Sequence, residues 1–199
     1  MTQPAVNSQR IGVLGGTFDP IHIGHLVTGA NVRHELGLDR VLFVIAHDPW
    51  QKADRDVTPS DLRLAMVEAA VDGHPGLEAS AVEIERGGTS YTADTLATLR
   101  DQAPDAELFL IIGQDQAANL HTWERVAEIR ALSTLVVVRR PGSVGGLSDS
   151  RAIEVDVPLL EVSSSDVRAR FCDGRPVDWL VPEPVVRFVR ERGLYRSSR

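Results

Sequence analysis

Short apolar runs rich in Val, Ile and Leu recur along the chain, and their spacing constrains the fold more than any other feature. "RIGVLG", "RVLFVIA", "LEASAVEIE", "ELFLIIG", "TLVVVRR" and "AIEVDVPLLEV" each have the length and side-chain character of a buried strand. Between most of them lie stretches with the apolar spacing of helices, and strands alternating with helices imply a parallel sheet covered on both faces. The expected class is α/β, with a doubly wound, mainly parallel sheet. Helix signals agree. "TPSD" places Thr58 at an N-cap, Pro59 at the first helical position and Asp61 where a capping-box acid would sit, ahead of Leu62, Met66 and Val67. That helix is predicted to run to about Gly73. "YTADTLATLRDQ" and "TWERVAEIRAL" show similar spacing, and "PEPVVRFVRERG" starts on proline and stops on glycine. "PGSVGGLSDS", from Pro141 to Ser150, reads as a mobile loop.

With 199 residues, 43% of them hydrophobic, the chain has enough apolar surface for one sizeable core. A single domain spanning 1–199 is expected, with the C-terminal helical part (about 163–199) packed on it. The formal charge of −7 argues against a nonspecific grip on nucleic acid, which needs a clustered basic face. Small anionic ligands stay open, since backbone amides and a few cations bind them within an acidic protein. Cys172 stands alone, so no intrachain disulfide forms. "MTQPAVNSQR" lacks the apolar core of a signal peptide, and no apolar run approaches the roughly 20 residues needed to cross a bilayer. A cytoplasmic protein with no membrane partner is expected, and homo-oligomerisation is left open.

In an open parallel sheet, ligands sit outside the carboxyl ends of the strands, near the point where strand order reverses. The loops at 15–25, 47–52, 113–115 and 163–168 therefore carry the expectation of function. "GGTFDPIHIGH", residues 15–25, is the most informative. Gly15 and Gly16 are expected to turn the backbone tightly after the first strand and bring its amides close to a ligand. Pro20 limits the turn, and a helix is predicted to start between His22 and Gly24. Free N–H groups and the dipole make that helix N-terminus an anion site. His22 and His25, three residues apart on the first turn, share one face and would meet the same anion. A zinc pair is the alternative reading, but no third ligand is evident.

"GGTFDPIHIGH" resembles the signature of the HIGH-containing nucleotidyltransferases, specifically the bacterial nicotinate-nucleotide adenylyltransferases, and the resemblance spans nearly the whole chain. "SSSDVR" is similar to the family's second signature, with Ser165 where threonine is usual. The resemblance implies a Rossmann-like fold. It also implies an enzyme that couples nicotinate mononucleotide to the AMP portion of ATP in NAD biosynthesis, releasing pyrophosphate, with Mg2+ arriving on ATP rather than in a protein cage.

By the same resemblance His22 and His25 contact the ATP phosphates, and Gly15, Gly16, Thr17 and Phe18 cradle nucleotide with their backbone. Asp115 in "IIGQD" matches the family's acidic residue in the nucleotide pocket, and as a bare residue it also fits a helix cap. Ser164, Ser165 and Arg168 would hold ATP phosphate. Read without the family, Ser163 or Ser164 caps the next helix, with Arg168 one turn on. Lys52 would meet the acceptor's phosphate, although alone it reads as a solvated loop lysine. The family often has a proline pair before a basic pair there, whereas this chain has Asp48-Pro49-Trp50-Gln51-Lys52. Thr92 would bind the pyridine nucleotide's carboxylate or simply cap its helix, and Trp123 would stack on the pyridine ring or simply pack.

Three other functions fit parts of this pattern. Nicotinamide mononucleotide or phosphopantetheine would use the same phosphate machinery, while a noncatalytic nucleotide sensor would keep the fold alone. A class I aminoacyl-tRNA synthetase also carries HIGH, but an acidic chain of 199 residues offers no evident anticodon domain or strong RNA face.

Overall fold

The computed structural model describes residues 8–48, 57–139, 151–158 and 160–196. Lys52 and the Pro141–Ser150 segment lie outside the described residues. Among these residues, β1 (Arg10–Gly16), β2 (Arg40–Ile45), β3 (Leu77–Ser80), β4 (Glu107–Gly113), β5 (Thr134–Arg139) and β6 (Ile153–Asp156) form one parallel sheet in the order β3-β2-β1-β4-β5-β6. The expected doubly wound α/β architecture is present.

Alternation along the strands divides the core into two layers. Val41, Phe43 and Ile45 of β2 and Phe109 and Ile111 of β4 pack on one face, with residues of α1 (Ile23–Leu36), α2 (Ser60–Val71), α7 (Ser164–Asp173) and α8 (Glu183–Arg192). Leu42, Val44, Leu108, Leu110 and Ile112 pack on the other, against α3 (Val82–Arg86), α4 (Thr92–Gln102) and α6 (Val126–Leu132). The connection from β3 to β4 therefore crosses from one face to the other, and strand order reverses between β1 and β4.

That reversal opens the site. β1 pairs with β4 only as far as Val13 opposite Leu110. On its other side β1 stays paired with β2 up to Gly16 opposite Ile45, and β4 stays paired with β5 up to Gly113 opposite Val138. The two central strands thus continue past their last mutual pair, held by their outer neighbours, and leave a crevice between their carboxyl ends.

Several local expectations change. "LEASAVEIE" divides into β3 and the short helix α3, which buries Val82 and Glu83 against the second layer. α2 begins one residue later than predicted, with Pro59 as its N-cap and no side-chain cap, because the Thr58 hydroxyl is engaged 3.5 Å from the Tyr195 hydroxyl. "AIEVDVPLLEV" keeps strand structure only over β6, and α6 starts at Val126, leaving Trp123 just after a 3-10 turn (Leu120–Thr122).

α1 carries the first histidine pair, and its seat on the sheet is set by Gly29, where a Cβ would stand 2.6 Å from Cζ of the fully buried Phe43. Gly29→Ala is expected to lower stability by about 1–2 kcal/mol, since overpacking outweighs alanine's better helix propensity. Urea unfolding followed by circular dichroism measures this, and an unchanged midpoint would contradict the packing account.

Candidate active site

The crevice widens into a cavity of about 560 Å³, within the range of small-molecule sites. Gly15, Gly16, Thr17, His22 and His25 line its centre. Ser90, Tyr91, Thr92 and Trp123 line the side toward α4, and Asp115 borders it from the first turn after β4. Of the residues singled out from sequence, the structure brings together Gly15, Gly16, Thr17, His22, His25, Thr92, Asp115 and Trp123. Ser164, Ser165, Arg168 and the Phe18 side chain do not border the cavity.

The turn differs from the expected glycine hinge. Gly15 and Gly16 both remain in β1, and the left-handed residue is Phe18, with φ of 50°. Such a backbone costs a non-glycine residue about 1–3 kcal/mol and persists only where tertiary contacts enforce it. The enforcing contacts are visible. Phe18 is 2% exposed, and its ring stands edge-on to His25 at 5.0 Å and lies 5.9 Å from Phe43. It also covers Gly16 so closely that a Cβ there would lie 2.7 Å from Cζ. Gly15 has open space, so its backbone is accessible to a ligand.

His22 is the N-cap of α1, and its ring stacks on that of His25 with centroids 3.7 Å apart. The His22 backbone N–H donates to His25 Nδ1 at 3.3 Å, which leaves the neutral His25 ring with its proton on Nε2. Burial holds His22 neutral, lowering its pKa to about 4, and among the described residues its Nδ1 has no hydrogen-bond partner. A buried polar atom without a partner is costly unless a ligand or water satisfies it.

Behind the turn lies a polar layer that sequence reasoning missed. Arg63, on the buried face of α2, is 1% exposed and donates to the carbonyls of Thr58 at 2.7 Å, Thr17 at 2.8 Å and His47 at 3.4 Å. Burial lowers its pKa, and the Asp19 carboxylate acts in the opposite direction. Its signal was available, as a charge three and four residues before Met66 and Val67 on one helical stripe. Arg168 donates to the Asp19 carbonyl at 2.7 Å and to the Ser165 hydroxyl at 3.4 Å, while the Ser164 hydroxyl donates to the Pro20 carbonyl at 2.9 Å. Ser163 is the N-cap of α7, accepting from the Asp166 amide at 3.2 Å.

On the α4 side, Tyr91 rather than Thr92 is the N-cap, and no side chain caps the helix. Its first amides have no intrahelical partner. The buried Glu83, another residue not read from sequence, accepts the Thr95 hydroxyl at 2.5 Å, and Arg86 donates to that hydroxyl at 3.3 Å. Asp94, in the first turn of α4, is ion-paired with Arg125 just past Trp123. Among the described residues, no three His, Cys, Asp or Glu side chains converge into a group that could hold a metal ion. Also among them, no helix is long and apolar enough to cross a membrane.

Residues 13–170 match the cytidylyltransferase-like family. The chain is 46% identical over 202 residues to the "Probable nicotinate-nucleotide adenylyltransferase" of Clavibacter michiganensis, covering 100% of both chains. It is 44% identical over 202 residues to the protein of the same name from Corynebacterium kroppenstedtii, covering 98% of this chain and 95% of that one. The chain belongs to the nicotinate-nucleotide adenylyltransferase family. It is an enzyme of the nucleotidyltransferase class. In fold it matches the Plasmodium falciparum nicotinic acid mononucleotide adenylyltransferase complexed with NaAD, with a TM-score of 0.78 at 17% identity over 94% of this chain and 97% of that one.

The neutral His22 couples folding to pH. Between pH 6.5 and about 4 the unfolded chain binds a proton at this imidazole that the folded chain does not, so stability falls on acidification through that window. The loss from this group approaches roughly 3 kcal/mol at the low end. Urea unfolding of the wild type and His22→Ala from neutral pH downward is expected to show a shallower pH slope in the variant. Parallel slopes would place the histidine's titration outside the folding equilibrium.

Proposed function

We propose that this family member transfers AMP from ATP to nicotinate mononucleotide, giving deamido-NAD and pyrophosphate, by direct in-line attack. We further propose that residues 1–199 work as one nucleotidyltransferase domain with the C-terminal helical part packed on it. The carrying observation is the His22–His25 stack at the α1 N-terminus, in the crevice of the strand reversal, with a buried His22 nitrogen lacking a partner.

Adenylyl transfer asks little acid–base chemistry of the protein, because the attacking phosphate of the acceptor is already an anion. Its oxygen forms a bond to the α-phosphorus of ATP as the bond from that phosphorus to the bridging oxygen breaks, and the electron pair leaves on pyrophosphate. The demand is alignment and stabilisation of charge on the equatorial oxygens. In this reading His25 Nε2–H and the Gly24 amide on the cavity wall would donate at that position, with the backbone of Gly15 to Phe18 beside it. A neutral His22 is suited to this role, since an approaching polyanion favours its protonation and offsets the cost of burial.

Donors around the phosphate position are imidazoles and amides rather than converging carboxylates, so Mg2+ would be held by phosphate oxygens and water. There it would supply charge neutralisation on the departing pyrophosphate. Ser164, Ser165 and Arg168 would contribute to ATP binding through the turn that they brace. Asp115 would face the nucleotide's hydroxyls from the cavity border, and Lys52 would meet the acceptor's phosphate.

On the other side, the uncapped start of α4 offers Thr92 and its amides to the acceptor's carboxylate. Trp123 offers a flat face to the pyridine ring. The proposed setting is NAD synthesis in the cytoplasm.

Pyrophosphate release with Mg-ATP and, separately, nicotinate mononucleotide, nicotinamide mononucleotide and phosphopantetheine tests this reading. Preference for the first is expected, and turnover of another acceptor would overturn the substrate assignment while keeping the phosphate site. ATP binding without turnover of any acceptor would favour a sensor. His25→Ala is expected to lower kcat by about 10²-fold or more with the fold intact, the usual order for a lost transition-state donor. Trp123→Ala is expected chiefly to raise KM for the pyridine nucleotide by about tenfold or more, the order of one lost aromatic stack. Near-normal turnover in the first, or an unchanged constant in the second, would return that residue to packing.

A further inference from the structure

Phe18 holds its left-handed backbone in a turn that its own residues do not stabilise alone, and the segment C-terminal to β6 provides much of the support. The Ser164 hydroxyl donates to the Pro20 carbonyl and Arg168 donates to the Asp19 carbonyl. The Ile23 amide donates to the Leu180 carbonyl at 2.9 Å. The remaining tie comes from Tyr195, whose hydroxyl donates to Asp19 Oδ1 at 2.6 Å.

We propose that Tyr195 is a positioning residue for the phosphate-binding turn, acting through the Asp19 carboxylate on the placement of His22. Asp19 is 4% exposed, so its carboxylate depends on protein donors. Those donors are the Tyr195 hydroxyl on one oxygen and, on the other, the Thr58 amide at 3.4 Å. The short distance to Tyr195 is that of a charge-assisted bond. Tyr195 is itself held by tertiary contact. It is a non-glycine residue at φ of 59°, beyond the C-terminal end of α8, with its ring 5.9 Å from Phe171 and its oxygen 3.9 Å from the Met66 sulfur. Burial and the adjacent carboxylate both push its pKa upward, so the hydroxyl keeps the proton that it donates.

The arrangement transmits position by a short route. Asp19 is followed by Pro20 and the fully buried Ile21, and then by His22, whose ring stacks on His25. Phe18, on the other side of Asp19, packs against that second ring. Arg63 ties the Thr17 carbonyl to the Thr58 carbonyl, so the two sides of the Asp19 pocket are also joined through a buried cation. Without the Tyr195 hydroxyl, Asp19 Oδ1 loses its donor. The carboxylate then gains by turning toward water, and the turn moves with it. A misplacement of about 1 Å at a reacting centre is worth up to about 10²-fold in rate.

The inference rests on the reading that this turn binds ATP phosphates, and its test does not depend on which acceptor is correct. Mg-ATP affinity by titration calorimetry, and kcat and KM for ATP and for whichever acceptor the wild type turns over, are measured for Tyr195→Phe, Val185→Ala, His22→Ala and the Tyr195→Phe/His22→Ala pair. All measurements are made well below each unfolding midpoint. Tyr195→Phe is expected to lower kcat/KM for ATP by about tenfold or more while leaving KM for the acceptor within about twofold. Val185→Ala, which opens a cavity in the same hydrophobic layer, is expected to lose stability but keep kcat and Mg-ATP affinity within about twofold. On the His22→Ala background, Tyr195→Phe is expected to cost no more than about twofold, because the group through which it acts is gone.

The proposal is overturned if Tyr195→Phe leaves both quantities at wild-type values. It is equally overturned if Val185→Ala reproduces its loss, or if the loss persists in full without His22. Failure of the nicotinate assignment appears separately, as wild-type turnover of a different acceptor with the same variant ratios. A wild type that binds no Mg-ATP overturns both readings.

Discussion

In a parallel sheet whose strand order reverses, the connections leave the two central strands toward opposite faces, and no chain need cross above their carboxyl ends. Here that constraint has a definite point of onset, where β1 and β4 pair for the last time at Val13 and Leu110. Beyond it each strand is held only from outside, by β2 and β5. The crevice is therefore a product of topology, with each wall paired to an outer strand. It also brings the turn after β1, the helix start at Thr92 and the first turn after β4 around one volume.

A crevice positions nothing finely by itself, and the second requirement is met by the layer behind the turn. Phe18 in the left-handed region, a buried carboxylate at Asp19 and a buried guanidinium at Arg63 are each unfavourable in isolation. Together they are mutually satisfied, through three carbonyls for Arg63 and donors from Tyr195 and Thr58 for Asp19. A network of this kind has few alternative arrangements, because any shift that breaks one bond leaves another buried group without a partner. That property suits the proposed reaction, in which the protein's task is alignment rather than proton transfer.

The sheet, its order of elements and the histidine pair were legible because they rest on local pattern. Apolar runs of strand length, Pro20 before the helix start and two histidines at a three-residue spacing are all statements about neighbours in sequence. The errors have a common origin in contacts from far away. Thr58 did not cap α2 because Tyr195 engages its hydroxyl, and the second half of "LEASAVEIE" became a helix because Val82 and Glu83 find a buried seat under α4. Ser164 and Arg168 were expected to hold ATP phosphate, whereas their side chains donate to the Pro20 and Asp19 carbonyls behind the turn after β1. Lys52 lies outside the described residues, and of the loop Asp48-Pro49-Trp50-Gln51-Lys52 only Asp48 lies within them.

The sequence by itself determined the fold class and the place of the site, since strand and helix periodicity follow from side chains a few residues apart, and topology then dictates where ligands can sit. Only the tertiary structure decided how the site is held. Asp19 and Tyr195 are 176 residues apart, and no local pattern announces their bond. Gly16 owes its identity to a ring two residues on that folds back over it, while the neutrality of His22 follows from burial, which is a property of everything packed around it.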